Sequence, residues 1–420
     1  MTWLVDGHVV DVRSGRIERQ HIHVEAGRIV GLTKVRPVKT QGLVIDLGGA
    51  YVLPGFFDCH VHICVDTANA DIAAGWGNSL PGTIALHAAR NAHRLLMAGF
   101  TTVRDVGGWD YHEIAVREAI NAGWIDGPRL HCAGRILTIT SSSTSYFRGM
   151  YEEADGPGAV RKAARQQLAR GADFIKLLAT GAVTSTAYEN PQATQYRPDE
   201  IRAAVEIAAD NFTYVAAHAH APDGIRHAVE CGCRSIEHTV FGTEAVYRLM
   251  VERGTYLVPT VCITDAMMRD PEFAARIPEH VQRRYVEIHE THVANISLAR
   301  RLGVLIAMGS DAGTPGNHCG DNMQELDVMV REAGFSPLEA IQAATIGAAS
   351  LMRLEDNLGA LEPAKIADII VVDGNPLDSI AALKSVALVM KEGRIVKNDR
   401  GPAMPSLAFA PLGGPEHRRV

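Results

Sequence analysis

The chain has no block of basic residues, no run of 18 uninterrupted apolar residues and no regular cysteine framework. Each gap excludes a class of protein. Lys and Arg number 41 against 48 Asp and Glu, a net charge of −7, which argues against nucleic acid or an anionic membrane as the main partner. Without a long apolar run, nothing is expected to span a bilayer as a helix. The seven cysteines are scattered and odd in number, which fits a reducing cytoplasm better than a disulfide scaffold. Cys231-Gly232-Cys233 is the only close pair, and it reads as two small residues packing at a helix–strand junction. Met1-Thr2-Trp3-Leu4-Val5-Asp6 offers neither the basic nor the apolar region of a secretion signal, so the expected location is the cytoplasm.

What is present is an ordinary globular composition, 47% hydrophobic and 21% charged over 420 residues with 39 glycines. That length suits one large α/β domain with a small extra one. Residues 3–50 read as short strands, Trp3–Val12, His21–Glu25 and Arg28–Leu32, broken by turn signals. From Pro54 the pattern becomes strand, loop, helix, repeated. The expected strands are Phe56–His62, Thr101–Asp105, Arg129–Gly134, Phe174–Ala179, Tyr214–His218, Ser235–His238, Tyr256–Thr260 and Leu305–Ser310. Apolar runs such as V-A-A-H and V-L-I-A-M-G predict parallel strands buried on both faces. Eight such units close most simply as a (β/α)8 TIM-type barrel over 54–359. Strand character returns at Ala367–Asp373 and Val386–Lys397, so 1–53 and 360–400 are expected to form a small β-sandwich domain, with 401–420 a Pro/Gly-rich tail.

Barrel enzymes build their sites at the C-terminal ends of the strands. Here those ends carry His60-Val61-His62, Lys176, His218-Ala219-His220, Glu237-His238 and Asp311. Any one of these could be a satisfied core residue; together they point to a site, because each is costly in an apolar strand without a partner. Imidazole and carboxylate are good ligands for a divalent ion such as zinc. His60 and His62, two apart on a strand, share a face and can clamp one ion. Lys176 has two readings. Burial lowers a lysine's pKa, and the neutral amine can take up carbon dioxide as a carbamate able to bridge two metals. Alternatively it pairs with a nearby carboxylate. Arg104-Asp105 reads as a structural ion pair.

The phrases "YVLPGFFDCHVH", "GFTTVRDVGG", "GADFIKLLATG", "VAAHAHAPDGIRHAVECGCRSIEHT", "GSDAGT" and "LGALEPAKIADIIVVDGNPL" cover nearly the whole chain. With the order His-x-His, Lys, His, His, Asp they resemble the amidohydrolase superfamily, and within it the imidazolonepropionase-related, prolidase-like branch that includes ochratoxin-type amide hydrolases. The resemblance implies one metal on His60, His62 and Asp311 and a second on His218 and His238. Carboxylated Lys176 would bridge the two ions, expected to be Zn2+. It implies attack by a metal-bridging hydroxide, with Asp311 carrying the proton to the leaving amine. It also implies a small-molecule amide or dipeptide substrate and a homo-oligomer.

His220 either faces the same cavity or sits on a wet rim. The segment Thr138–Arg148 has serines and threonines where prolidase-like relatives carry Gly-Gly-His. Either Tyr146, Arg148 or backbone amides take over carboxylate binding, or the substrate lacks that carboxylate, or the segment is a lid. The loop 180–197, with Tyr188, Asn190 and Tyr196, is a second expected wall. Three functions follow: a hydrolase of peptide-like or N-acyl amino acid amides; a hydrolase of neutral aryl amides, carbamates, ureas or lactones; and a non-catalytic scaffold on the same fold.

Overall fold

The computed structural model describes residues 1–38, 41–67, 76, 79–269 and 271–401. The expected tail past Gly401 lies outside them. Alternating apolar residues build the first five strands, β1 (Thr2–Val10), β2 (Ile17–Glu25), β3 (Arg28–Thr33), β4 (Leu43–Asp46) and β5 (Tyr51–Pro54). The chain end returns β16 (Ile369–Val372), β17 (Val386–Lys391) and β18 (Arg394–Asn398) to the same sheet, in the order β18-β17-β16-β5-β1-β2-β3 with β4 also on β1. The join between the two chain ends is the antiparallel register of Val371 opposite Val52. Leu4, Ile22, Ile29, Val52, Ile369 and Leu388 form its buried apolar face.

Between these ends run β6 (Phe56–Val61), β7 (Phe100–Asp105), β8 (Arg129–Cys132), β9 (Ile136–Thr138), β10 (Tyr151–Glu153), β11 (Ile175–Leu178), β12 (Val215–Ala219), β13 (Ser235–His238), β14 (Tyr256–Val258) and β15 (Leu305–Ile306). All pair in parallel, in two ladders, β6-β7-β8 and β10-β9-β11-β12-β13-β14-β15. The eight strands expected from sequence are all present, in two sheets rather than one continuous ladder. At one seam Cys59 N–H donates to Met308 O, Asp311 N–H to His60 O and His62 N–H to Ala312 O, each at 2.8 Å. The eighth strand is shorter than expected because residues after Ile306 bend to reach β6.

The helices between strands form where apolar residues recur on one face. In Pro81–Met97 these are Ile84, Ala88, Ala92, Leu95 and Leu96. Proline opens the first turn of this helix and of Pro198–Asp210 and Pro222–Glu230, where its missing N–H costs nothing. No helix among the described residues is long and apolar enough to cross a membrane.

The segment 138–148 is not an open loop. Ser142–Tyr146 forms a short helix. Ser141 Oγ accepts the Ser143 N–H at 3.2 Å, and Thr144 Oγ1 accepts the Ser141 N–H at 3.3 Å. Its hydroxyls cap a helix end, as such side chains do when they satisfy orphan backbone donors.

Candidate metal centre and its cavity

Parallel register brings the polar strand ends together. Leu178 lies opposite His218, and Ala219 opposite His238, while the β6 seam sets Asp311 against His60. Ring centroids of His60 and His62 are 5.4 Å apart, those of His60 and His238 4.9 Å, and those of His218 and His238 4.5 Å. Asp311 Oδ1 is 3.3 Å from His60 Nε2 and 3.4 Å from His62 Nε2. Donor atoms of His60, His238 and Asp311 all lie within 4.8 Å of one another.

The backbone is bent to achieve this. His238 and Asp311 hold φ of +74° and +58°, left-handed values that non-glycine residues adopt at a cost and that cluster at functional sites. Gly313, at φ +104°, lies so near β6 that a Cβ there would meet His62 O at 2.0 Å.

Each imidazole has one nitrogen committed elsewhere, which fixes the one left for the centre. His60 Nδ1 donates to Glu237 Oε2 at 2.8 Å and His62 Nδ1 to Gly107 O at 2.9 Å, freeing both Nε2 atoms. His238 Nδ1 lies 2.6 Å from Thr260 Oγ1, freeing its Nε2. His218 donates through Nε2 to Gly181 O at 3.2 Å, leaving Nδ1.

Lys176 is 2% exposed, and its Nζ has no hydrogen-bond partner. Burial, with Arg104 nearby, brings its pKa down to about 8. Burial and Lys176 push His218 down to about 3. Burial would raise Asp311, but His60 and His62 beside it hold its carboxyl below the usual range. Four imidazole nitrogens left free by the surrounding protein, a buried carboxylate and an orphaned amine make a donor set that suits divalent cations.

Buried charges behind the centre hold it in place. Arg104 is fully buried and donates to both oxygens of Glu237 at 2.9 and 3.1 Å and to Cys59 O at 2.6 Å. The expected Arg104–Asp105 pair is therefore corrected: neighbouring strand residues face opposite ways, and Asp105 instead accepts the Ile63 and Gly107 N–H groups. Asp58 accepts the His60 and Ser310 N–H groups and the Ser310 and Asn322 side chains, tying β6 to the bend before Asp311. Sequence reasoning assigned no role to Glu237 or Asp58. The signal was there, since an acid inside an all-buried strand needs a partner.

A cavity of roughly 750 Å3, counting its open mouth, rises from this floor. His220 lines it, 4% exposed, with both ring nitrogens lacking partners, so the cavity-facing reading holds over the wet rim. His292, from helix Glu279–Leu302, also lines it and was not anticipated.

The other sequence candidates fall elsewhere. Tyr196 is fully buried and donates to Ala154 O at 3.0 Å, Arg148 is exposed, and Tyr146 packs against the main core; none lines the cavity. Phe147 from the segment 138–148 and its flanking residues Ile136, Met150 and Tyr151 line it instead. Tyr188 and Asn190 point to solvent, while Ala182, Val183 and Thr184 from that loop form the wall.

The strand-end cluster, the parallel sheets and the sheet built from both chain ends define a class, and sequence comparison agrees: the Amidohydrolase family matches residues 51–396, and the chain belongs to it. Among its relatives, ochratoxinase from Aspergillus niger is 31% identical over 372 residues, 82% of this chain and 75% of that protein. Imidazolonepropionase from Symbiobacterium thermophilum is 26% identical, covering 89% of each chain. Among solved structures, a Xaa-Pro dipeptidase with bound methionine in its active site superposes with a TM-score of 0.87 at 33% identity. That match covers 94% of this chain and 100% of the other.

Proposed function

We propose that this chain is a metal-dependent hydrolase of carbonyl–nitrogen bonds, working on a (β/α)8 barrel (54–359) flanked by a β-sandwich made from 1–53 and 360–400. The observation that carries the reading is Lys176. An amine buried without a partner beside four imidazoles and a carboxylate is hard to explain as structure alone, because an unpaired buried polar group costs free energy.

With its pKa brought down to about 8, Lys176 is neutral in about one molecule in ten at pH 7, far more than an ordinary lysine. The neutral nitrogen can bond to the carbon of carbon dioxide, releasing its proton to water and leaving a carbamate with two oxygens. That group, with His60, His62 and Asp311 on one side and His218 and His238 on the other, would hold two divalent ions, with zinc the expected metal. When bound, such ions lower the pKa of a shared water and polarise a substrate carbonyl.

Asp311 supplies the proton transfer. Its carboxylate stays ionised, and Oδ1 is buried without a hydrogen-bond partner. It takes a proton from the attacking water and returns it to the departing nitrogen as the C–N bond breaks. His60 and His62 Nε2 lie 3.3 and 3.4 Å from that oxygen, while Glu237 and Gly107 fix the imidazole tautomers. The relatives named ochratoxinase, imidazolonepropionase and Xaa-Pro dipeptidase support a hydrolytic use of this frame. A non-catalytic scaffold would be free to lose these groups, and all six are present.

The test is amine release from dipeptides, N-acyl amino acids and uncharged amides by protein loaded with zinc in bicarbonate. Wild-type protein is expected to cleave some of them. Asp311→Asn, with metal content and circular dichroism unchanged, is expected to turn over about 10²–10⁴-fold more slowly. Wild-type turnover in that variant would remove Asp311 from the proton path.

A further inference from the structure

We infer that the substrate is an uncharged acyl derivative, such as an amide, carbamate or lactone with aromatic or aliphatic flanks, and that it carries no free carboxylate. This rests on the hydrolase reading above and deepens it.

The wall facing the metal-ligand floor is apolar. Ile136, Phe147, Met150, Val240, Ile263 and Ile288 all line it, and all are buried. Among the described lining residues Lys176 is the only lysine or arginine, and it belongs to the floor. Asp311 is likewise the only carboxylate. With its scissile bond on the floor, a zwitterionic dipeptide would meet no counter-charge for an end resting on the wall, and taking a carboxylate from water into such a wall without a partner is unfavourable.

Arg148 is exposed and does not line the cavity, and two other cations near the wall are committed elsewhere. Arg284 spends its guanidinium on the carbonyls of Val183, Thr186 and Glu189 and on Ser185 Oγ. Arg135 pairs with Asp110 and Glu152.

The polar groups that remain suit a neutral partner. The hydroxyls of Thr184 and Tyr285 bond each other, and Thr314 Oγ1 donates to Asp311 O. That leaves the Tyr151 hydroxyl and His220, buried with both ring nitrogens unpartnered, facing the cavity beside His292. A single imidazole can donate to a carbonyl or accept from an N–H, which matches an amide or carbamate group.

The test is a matched pair that differs only by the carboxylate, N-acetyl-L-phenylalanine and N-(2-phenylethyl)acetamide. Each is given to zinc- and bicarbonate-loaded full-length protein, with amine release and calorimetric binding both measured. The expected result is a kcat/KM at least tenfold higher for the uncharged amide. Preferred cleavage of N-acetyl-L-phenylalanine overturns the inference and leaves the hydrolase reading standing. If neither is cleaved but the uncharged amide binds at least tenfold tighter, the inference stands and the hydrolase reading falls. If neither is cleaved nor bound, both fall. Met150→Arg, verified as folded by circular dichroism, places a cation in the wall and is expected to move the ratio tenfold toward the acid. An unchanged ratio in that folded variant overturns the wall as the source of the preference.

Discussion

The floor of the cavity is a set of polar side chains whose imidazoles are held by second partners: His60 by Glu237, His62 by Gly107, His238 by Thr260. Its wall is a set of apolar side chains drawn from segments far apart in the chain, from Ile136 to Ile288. The two are built for different tasks. The floor needs donor atoms fixed in direction, so strands and strained strand ends carry it. The wall needs only shape and dryness, so connecting segments and a long helix suffice. Reaction type accordingly belongs to the floor and choice of substrate to the wall, in keeping with function being grafted onto a fold at its site.

The sharpest way to break this division is to remove a floor group without touching the wall. If Lys176 carries the proposed bridging carbamate, Lys176→Met should lower activity by more than about 10²-fold, with the cavity's affinity for an apolar amide preserved in calorimetry. If affinity falls as steeply as turnover, floor and wall are not separate.

Glu237→Gln tests the layer below. It leaves Arg104 buried with no full counter-charge, so stability should drop by about 3 kcal/mol, read as a lower denaturant midpoint. Metal affinity should fall as well, because His60 loses the carboxylate that orients it. A variant as stable as wild type would contradict the assigned role.

On the wall, Ile288→Ala should raise KM for an apolar amide several-fold and leave kcat within about twofold, the pattern of lost uniform binding. An equal loss in kcat would place Ile288 in the chemistry.

A further test lies just behind the site, away from the ligands themselves. Glu325 is fully buried on helix Met323–Arg331 and accepts the Val261 and Cys262 N–H groups; burial pushes its pKa up to about 8. The folded state then binds more protons than the unfolded state between about pH 4.5 and 8, so this group's contribution to stability declines as pH rises through that window. Glu325→Gln should flatten that decline in thermal melts taken from pH 5 to 8; an unchanged slope would contradict it.

The same division explains what could be read from sequence. His60, His62, His218, His238 and Asp311 were legible because each is a polar residue ending an apolar strand, and strand period two fixes which neighbours share a face. Glu237 and Asp58 stood in equally buried strands but gave no motif, since their partners, Arg104 and Asn322, come from elsewhere in the chain. The wall was hardest. Phe147, Met150, Ile263 and Ile288 follow no period that would set them in one place, and only the folded connections do so. Ser141 and Thr144 lie in the segment read as a substrate wall or a lid, and their side chains cap a short helix instead.

The most direct test of the central claim is metal content. Protein purified without metal, then loaded with zinc in the presence and absence of bicarbonate and washed, should hold about two ions per chain with bicarbonate and fewer without it. Lys176→Met should hold the lower number under both conditions. Equal occupancy in wild type and Lys176→Met, indifferent to bicarbonate, would contradict a floor organised around a carboxylated lysine.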